Sequence, residues 1–186
     1  MKIGILAVQG AFAEHEQMLE QLGAEYIELR KGEDVRQSYD GLILPGGEST
    51  VQGKLMRELD MFDTIQSQIK NGMPVLATCA GAILLAQQLS NDAATHLATL
   101  PAVVRRNAYG SQLGSFSVDE QIEGIGTFPM RFIRAPYIEK VLDDTKVLAK
   151  VDGNIVMVEN KNQLAMSFHP ELTSDTRIHE MFLKKI

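Results

Sequence analysis

Cysteine and other soft metal ligands are scarce in this sequence. Its 186 residues contain one cysteine, Cys79, 4 histidines and no tryptophan. A single cysteine excludes both an intramolecular disulfide and a thiolate-cluster metal site. With so few ligands left, we expect neither a metal nor another cofactor. The lack of disulfides favours a reducing, cytoplasmic compartment.

Positive charge and long apolar runs are also scarce. The chain has 18 Lys and Arg against 24 Asp and Glu, a formal net charge of −6. Its basic residues form no stripe, whereas binding to nucleic acid or to an anionic membrane requires clustered positive charge. No run approaches the roughly 20 apolar residues of a membrane span. The apolar run at the start ends at Gln9, too early for a signal peptide. We therefore expect no nucleic-acid partner and no membrane partner.

The order of apolar segments in the first half predicts alternating strands and helices. Hydrophobic residues make up 45% and charged residues 23% of the chain, and this length fits one domain, residues 1–186, without a linker or repeat. Strands are predicted at 2–8, 24–29, 41–44 and 73–78, and helices at 11–22, from 49 or 50 to 59, 61–70 and 80–89. The continuous apolar run at 2–8 is typical of a strand buried on both faces.

The second half consists mainly of short strand candidates. They lie at 103–105, 112–118, 130–134, 146–151, 154–158 and 164–168, and a final helix is predicted at 174–184. Asp152-Gly153 separates two of the strands and predicts a hairpin. The sequence therefore predicts one α/β domain, with a mostly parallel sheet that is flanked by helices and extended by antiparallel strands.

Cys79 lies between a predicted strand and a predicted helix, in Ala-Thr-Cys-Ala-Gly. A nucleophile on such a sharp turn lies above the carboxyl end of the sheet, where open α/β sheets bind ligands. The small neighbours permit the turn, and the backbone N–H of Ala80 can donate to a developing oxyanion. Taken alone, a single cysteine is more often a small buried apolar residue. Its place at this turn favours the role of nucleophile.

His169 and Glu171 follow the last predicted strand, in Ser-Phe-His-Pro-Glu. Residues two apart in an extended segment point to the same side, so both can face one site. A carboxylate there would fix the tautomer of the imidazole and stabilise the imidazolium. The alternative is a histidine at the end of a strand that Pro170 terminates. The remaining histidines are interpreted as structural or solvated: His15, His96 and His179.

The third candidate element is Pro-Gly-Gly-Glu-Ser at 45–49, directly after a buried strand. Its glycines allow backbone conformations closed to other residues and can turn an N–H towards a ligand. Gly47 could supply a second oxyanion donor beside Ala80. A phosphate loop is excluded because the Lys-Ser/Thr of that motif is absent and no Gly-x-Gly-x-x-Gly occurs here. A plain turn is the alternative.

These segments together resemble the class I (triad) glutamine amidotransferases. Within that class, the chain is most similar to the glutaminase subunits of the pyridoxal 5′-phosphate synthase of the deoxyxylulose-independent vitamin B6 pathway. The similarity runs from Ile3 to the last helix. Cys…His-x-Glu marks the wider class, and Gly-Gly-Glu-Ser, Arg-Asn-Ala-Tyr-Gly at 106–110 and Ile-Arg-Ala-Pro at 133–136 mark the subunit. The resemblance implies a flavodoxin-like arrangement of the sheet.

The resemblance also implies roles for individual residues. Cys79 would be the nucleophile towards the side-chain amide of L-glutamine, with His169 as base and acid and Glu171 as its partner. The implied oxyanion donors are Gly47 and Ala80. The implied substrate-binding residues are Gly46, Gly47, Glu48, Ser49, Arg106, Ile133 and Arg134. For either arginine, the alternative is a surface salt bridge.

The partner implied by the resemblance is a (β/α)8-barrel synthase subunit in a twelve-plus-twelve assembly. That subunit would combine ammonia with a pentose phosphate and a triose phosphate. Three other interpretations stay open: a glutaminase subunit of another pathway such as histidine biosynthesis, a cysteine-dependent peptidase or chaperone of related fold, and a non-catalytic binding module. The subunit-specific segments argue against the first, and His-Pro-Glu argues against the second.

Overall fold

The computed structural model describes residues 1–107 and 114–186. The strands are β1 (Lys2–Leu6), β2 (Glu25–Leu29), β3 (Gly41–Leu44), β4 (Val75–Thr78), β5 (Ala86–Leu89), β6 (Leu100–Arg105), β7 (Ser115–Ile122), β8 (Gly126–Ile133), β9 (Tyr137–Val141), β10 (Lys146–Val151), β11 (Asn154–Asn160) and β12 (Gln163–Met166). The helices are α1 (Phe12–Gln21), α2 (Gly32–Val35), α3 (Ser49–Glu58), α4 (Phe62–Lys70), α5 (Ala80–Leu85) and α6 (Arg177–Leu183), with a 3-10 turn at Pro170–Leu172.

Within the described ranges, ten strands form one sheet in the order β2-β1-β3-β4-β12-β11-β9-β6-β5, with β10 paired to β11. The first five strands of this order are parallel neighbours, and the pairings of β11 and β9 are antiparallel. Strands β7 and β8 form a separate antiparallel pair. This architecture confirms the predicted α/β class, in which antiparallel strands extend a mostly parallel sheet.

The inner parallel strands β1, β3, β4 and β12 are buried on both faces, whereas the edge strand β2 is only partly buried. Leu42 and Leu44 belong to one hydrophobic cluster, while Ile43 between them belongs to a second cluster on the opposite face. The second cluster also includes Phe132 of β8 and Phe168, whose rings meet edge to face at 5.7 Å. The β7–β8 hairpin is thereby held against the segment that carries His169.

The predicted helix at 80–89 is wrong in its second half. Helix α5 ends at Leu85, and the chain continues as β5, which pairs in parallel with β6. Gln87 and Gln88 within β5 are exposed. Because helix α5 is buried all round, its apolar pattern does not mark where it ends. The end of helix α5 is therefore set by the pairing of the following residues with β6, and not by their local helix propensity.

Other local predictions have mixed outcomes. The Asp152-Gly153 hairpin is confirmed, because β10 and β11 pair antiparallel up to Val151 and Asn154. Strand β9 and the short helix α2 were not predicted, and the last helix begins at Arg177 and not at residue 174. The helix predicted to start at 49 or 50 begins at Ser49, with Glu48 before it and no side-chain cap.

Two sequence predictions extend beyond the described residues. The last three residues of the Arg-Asn-Ala-Tyr-Gly segment, 108–110, lie outside them. So does the start of the strand predicted at 112–118, which the structure describes from Ser115 onward.

Candidate active site

The carboxyl ends of neighbouring parallel strands bring the three predicted segments together. Strand β3 ends before the Pro-Gly-Gly segment, β4 ends before Cys79, and β12 ends three residues before His169. Since β4 lies between β3 and β12 in the sheet, the cysteine is flanked by the other two segments. This is the edge of the sheet where an open α/β fold binds its ligand.

Cys79 adopts a strained backbone conformation between β4 and α5, with φ 49° and ψ −104°. Such a positive φ is uncommon for a residue other than glycine and is typical of functional turns. The backbone N–H of Cys79 donates to the carbonyl of Met166 at 2.8 Å, which ties the turn to β12. The side chain is 6% exposed, and its sulfur lies 3.9 Å from the carbonyl oxygen of Ile133.

His169 and Glu171 form a buried pair, with Nδ1 and Oε1 2.6 Å apart. The two side chains lie together, but not because of an extended segment. Pro170–Leu172 forms a 3-10 turn and not an extended segment, so the turn folds the carboxylate back onto the imidazole. The backbone N–H of His169 donates to the carbonyl of Arg131 in β8 at 2.8 Å, which fixes the start of this turn.

The surroundings of His169 favour its protonated form. Burial alone would lower its pKa, but the interactions with the Cys79 thiol and the Glu171 carboxylate outweigh burial and raise the pKa to about 10. The imidazole therefore connects a sulfur on one side with a carboxylate on the other. A nucleophile, a base and an orienting carboxylate follow one another in the same order in a catalytic triad.

A cavity of about 850 Å³ opens over Cys79 and His169, both of which line it. Nine of the predicted site residues line it: Gly46, Gly47, Glu48, Ser49, Cys79, Arg106, Ile133, Arg134 and His169. Two others do not line it. Ala80 begins helix α5 behind the cysteine, and Glu171 is buried behind the histidine.

The two arginines of the cavity have different surroundings. Arg106 donates to Asp92 Oδ2 at 2.9 Å and to Thr50 Oγ1 at 3.2 Å, so the salt-bridge alternative applies to it even though it faces the cavity. Arg134 is exposed and has a positive φ of 44°. Within residues 1–107 and 114–186, no carboxylate forms an ion pair with Arg134.

The Pro-Gly-Gly segment packs directly against the other site elements. A Cβ atom on Gly46 would lie 2.2 Å from Cε1 of His169, and a Cβ on Gly47 would lie 2.3 Å from Oε1 of Gln9. The same Oε1 accepts a hydrogen bond from the backbone N–H of Glu48 at 2.8 Å. Gly46 is therefore required by close contact, and Gly47 both by close contact and by its φ of 157°.

Sequence reasoning missed two kinds of residue at this site. Gln9 and Gly10 line the cavity, and the rule that carboxyl ends of parallel strands meet would have found them after β1. His15 and His179 were interpreted as structural or solvated, but both are fully buried, and His15 Nε2 lies 3.6 Å from Glu171 Oε2. No signal in the sequence connects these two helical residues to the site.

The described residues contain neither a candidate metal site nor a candidate membrane span. Among the described residues, no cluster of three or more His, Cys, Asp or Glu is arranged to hold a metal ion. In the same ranges, none of the helices is long and apolar enough to cross a membrane.

The fold and the site together define a class: a cysteine beside a histidine–carboxylate pair, at the carboxyl edge of a mostly parallel sheet, is the arrangement of acyl-transfer enzymes with a cysteine nucleophile. The particular family follows from comparison with known proteins. Residues 5–186 match the model of the SNO glutamine amidotransferase family. The chain belongs to this family.

Individual relatives support the assignment. The chain is 62% identical to "Pyridoxal 5'-phosphate synthase subunit PdxT" of Desulfitobacterium hafniense, over 100% of this chain and 94% of the relative. It is 52% identical to the protein of the same name from Streptococcus pneumoniae, over 99% of this chain and 96% of the relative. A crystal structure of a glutamine amidotransferase matches with a TM-score of 0.93 and 43% identity, over 98% of this chain and 97% of the other.

Proposed function

We propose that this chain is the glutaminase subunit of a pyridoxal 5′-phosphate synthase, which hydrolyses L-glutamine to L-glutamate and ammonia and supplies the ammonia to the synthase. The observation that carries the proposal is the buried His169–Glu171 pair at 2.6 Å beside the strained Cys79 turn. Family membership and relatives that are named as subunits of this synthase support it.

In the first half of the reaction, the thiolate of Cys79 adds to the carbon of the side-chain amide. The C–N bond then breaks, His169 gives its proton to the departing nitrogen, and ammonia leaves a γ-glutamyl thioester on the sulfur. The raised pKa of His169, about 10, keeps a proton available for this step near neutral pH. Glu171 stabilises the imidazolium and holds its orientation.

In the second half, the neutral His169 accepts a proton from water. The resulting hydroxide adds to the thioester carbonyl, and the C–S bond breaks to release L-glutamate and the Cys79 thiolate. Both halves pass through an oxyanion, for which Ala80 and Gly47 are the proposed donors. Support for Ala80 is its place as the first residue of α5, where its N–H lacks a partner in the helix.

Binding of L-glutamine requires a cation for its α-carboxylate and an acceptor for its α-amino group. Arg134 suits the carboxylate because it lines the cavity without an ion-pair partner in the described ranges. Arg106 is already paired with Asp92, and we assign it to shaping the cavity wall and to a secondary contact. Glu48 is exposed at the cavity and suits the amino group, beside Gly46, Ser49 and Ile133.

The proposed partner is a (β/α)8-barrel synthase subunit in a twelve-plus-twelve assembly, within the cytoplasm. A glutaminase that releases ammonia without a synthase wastes glutamine. We therefore also propose that a peptide in the Gly46–Gly47 loop flips on docking and completes the oxyanion site. Loss of one oxyanion donor costs roughly 2.7–4 kcal/mol, which is enough to keep the free subunit nearly silent.

The test is release of ammonia from L-glutamine by the chain alone and with its synthase partner. The proposal predicts glutamine-dependent formation of pyridoxal 5′-phosphate by the pair and little turnover by the free chain. Equal rates with and without the synthase would rule out the loop flip. Absence of glutamine hydrolysis in both cases would rule out the glutaminase and favour a binding module.

A further inference from the structure

A fully buried polar cluster lies behind the triad, on the side away from the cavity. It consists of Thr78 at the end of β4, His15 of α1, His179 of α6 and the carboxylate of Glu171. None of the four lines the cavity, so the reaction described above uses only Glu171 among them. Three buried polar side chains that do not contact substrate need another explanation, because burying them carries a desolvation cost.

The distances in this cluster connect His179 to the triad in three steps. His15 Nδ1 lies 2.9 Å from His179 Nε2, and His15 Nε2 lies 3.3 Å from Thr78 Oγ1. The Thr78 hydroxyl donates to Glu171 Oε1 at 3.5 Å, the same oxygen that faces His169. Across the described residues, Glu171 Oε2 has no hydrogen-bond partner, and His15 Nε2 lies 3.6 Å from it.

The donor of each hydrogen bond in this buried cluster can be assigned from elementary chemistry. A carboxylate only accepts, so the Thr78 proton points to Glu171 and its oxygen accepts from His15 Nε2–H. A neutral His15 then has a bare Nδ1, which accepts from His179 Nε2–H. That leaves His179 Nδ1 unprotonated, and it has no partner in the described part of the chain. Each hydrogen bond therefore points towards Glu171.

The neutral form of His15 agrees with its surroundings. Burial, followed by the positive charges possible on His179 and His169, holds the pKa of His15 well below its usual value. Burial also lowers the pKa of His179 to about 4. The titratable groups around the Glu171 carboxylate are thus His169 on one side and His15, backed by His179, on the other.

We propose that His15 is a positioning residue of this enzyme: its Nε2–H, oriented by His179, donates to the Thr78 hydroxyl, which in turn donates to the Glu171 carboxylate and holds it in place against His169. The inference rests on the proposed glutaminase function and adds a support for its triad. A triad carboxylate acts by fixing the tautomer and orientation of the imidazole, and incorrect placement removes most of that effect. The 3-10 turn alone fixes only the backbone of Glu171.

The test compares variants of the full chain, assayed with the synthase partner. His15→Leu removes the donor at similar volume, His15→Gln keeps an N–H near the position of Nε2, and Thr78→Val removes the hydroxyl. His15→Leu is expected to lower kcat by about tenfold or more, as loss of a supporting hydrogen bond does at comparable sites. Its KM should stay within about twofold, because His15 does not line the cavity. His15→Gln should recover most of the lost kcat.

A readout that a merely structural role would not change is the pH dependence of Cys79 alkylation by iodoacetamide. Without its donors, the Glu171 carboxylate holds the imidazolium of His169 less firmly, so the thiolate of Cys79 loses part of the positive charge that stabilises it. The acid limb of the alkylation profile should therefore move to higher pH in His15→Leu and in Thr78→Val, by about half a unit or more. The limb should return towards its original position in His15→Gln.

The control is Asn160→Leu, which removes a buried amide at the end of β11 that donates to Asp144 and Thr145. Asn160 pairs with Gln163, the first residue of β12, and so lies at the end of that strand away from His169. Asn160→Leu should lower the midpoint of urea unfolding without shifting the alkylation profile. A folded His15→Leu with unchanged kcat and pH profile would overturn the inference, as would His15→Gln impaired as much as His15→Leu. If His15→Leu does not fold, an unshifted profile in Thr78→Val overturns it. Wild-type chain without glutaminase activity contradicts the proposed function instead, and the alkylation profile still tests the cluster.

Discussion

Gly46 contacts the imidazole of His169 so closely that a single methyl group there would collide with it. The added Cβ would lie 2.2 Å from Cε1 and 2.8 Å from Nδ1 of the ring. Gly46→Ala should therefore displace His169 from Glu171 and lower kcat by about 10²-fold, as small misplacements of catalytic groups do. Steady-state ammonia release measures this effect. The control is Gly153→Ala, where nothing lies within 4 Å of the added atom; its φ of +80° makes alanine strained there, so this variant should lose stability but keep its activity. Full activity of Gly46→Ala would contradict the packing argument.

Arg134 is the cation of the cavity that has no ion-pair partner in the described residues. Arg134→Gln should raise KM for L-glutamine by about tenfold, since a charge-assisted hydrogen bond to a carboxylate is worth roughly 1.5–3 kcal/mol. The effect on kcat should be small because the α-carboxylate is remote from the reacting amide. The control is Arg131→Gln, because Arg131 is an exposed arginine of β8, the strand that ends just before Arg134, and does not line the cavity. A KM unchanged by Arg134→Gln would transfer the role to Arg106.

The catalytic candidates were predictable from the sequence, whereas their support was not. Cys79 and His169 each follow an apolar strand, and the ends of parallel strands meet at one edge of a sheet. His15 lies inside helix α1, and its contact with Glu171 depends on how that helix packs over the sheet. The local sequence of α1 indicates only that residue 15 lies on the buried face of the helix.

At the scale of elements, helix α5 approaches strand β3 through Gly81. A Cβ at Gly81 would lie 2.2 Å from the carbonyl oxygen of Leu44, so Gly81→Ala must push the helix away from the sheet. We expect the free energy of unfolding in urea to fall by about 2 kcal/mol, a typical cost of overpacking. Activity should fall as well, because α5 begins next to Cys79.

The comparison for Gly81→Ala is Gly72→Ala, where the nearest atom is 4.0 Å from the added Cβ. Gly72 has a φ of +99°, so alanine there is strained but does not collide with a neighbouring element. It should lose stability without losing specific activity. If Gly81→Ala kept wild-type activity and stability, the close approach of α5 and β3 would not position Cys79.

The same helix shows why element boundaries were harder to predict than element types. The run from Ala80 to Leu85 is buried throughout, so no polar face indicates its period or its end. Strand β5 exists because its backbone pairs with β6, a segment 14 residues away in sequence at Leu100. Strand β9 was missed for a related reason, since its only apolar alternation is short and its pairing partners, β6 and β11, are distant in sequence.

At the scale of the whole molecule, two neutral histidines in the interior link stability to pH. The pKa of His179 is lowered by burial to about 4, whereas an unfolded histidine titrates near 6.5. Between about pH 6.5 and pH 4, His179 is protonated in the unfolded chain but stays neutral in the folded chain. The contribution of neutral His179 to folding stability is therefore present above pH 6.5 and is lost as the pH falls to about 4. His15 acts in the same direction.

His179→Leu should therefore lose less stability than the wild-type chain on acidification. The difference between the pKa of His179 in the folded and in the unfolded chain corresponds to about 3 kcal/mol. On going from pH 6.5 to pH 4, the free energy of unfolding of the wild-type chain should therefore fall by about 3 kcal/mol more than that of His179→Leu. Urea titrations at several pH values measure it, and the contributions of titrating groups that do not contact His179 cancel in the comparison. If the free energy of unfolding changed equally with pH in the two proteins, protonation of His179 would not affect folding stability.

The central claim is that Cys79 is the nucleophile towards L-glutamine at this edge of the sheet. The most direct measurement is covalent labelling by 6-diazo-5-oxo-norleucine, a glutamine-like electrophile, in the presence of the synthase partner, followed by mass spectrometric mapping. The account predicts one adduct per chain, located on Cys79, with protection by excess L-glutamine and parallel loss of ammonia release. An adduct elsewhere, or an unlabelled Cys79 in a chain that still hydrolyses glutamine, would contradict it.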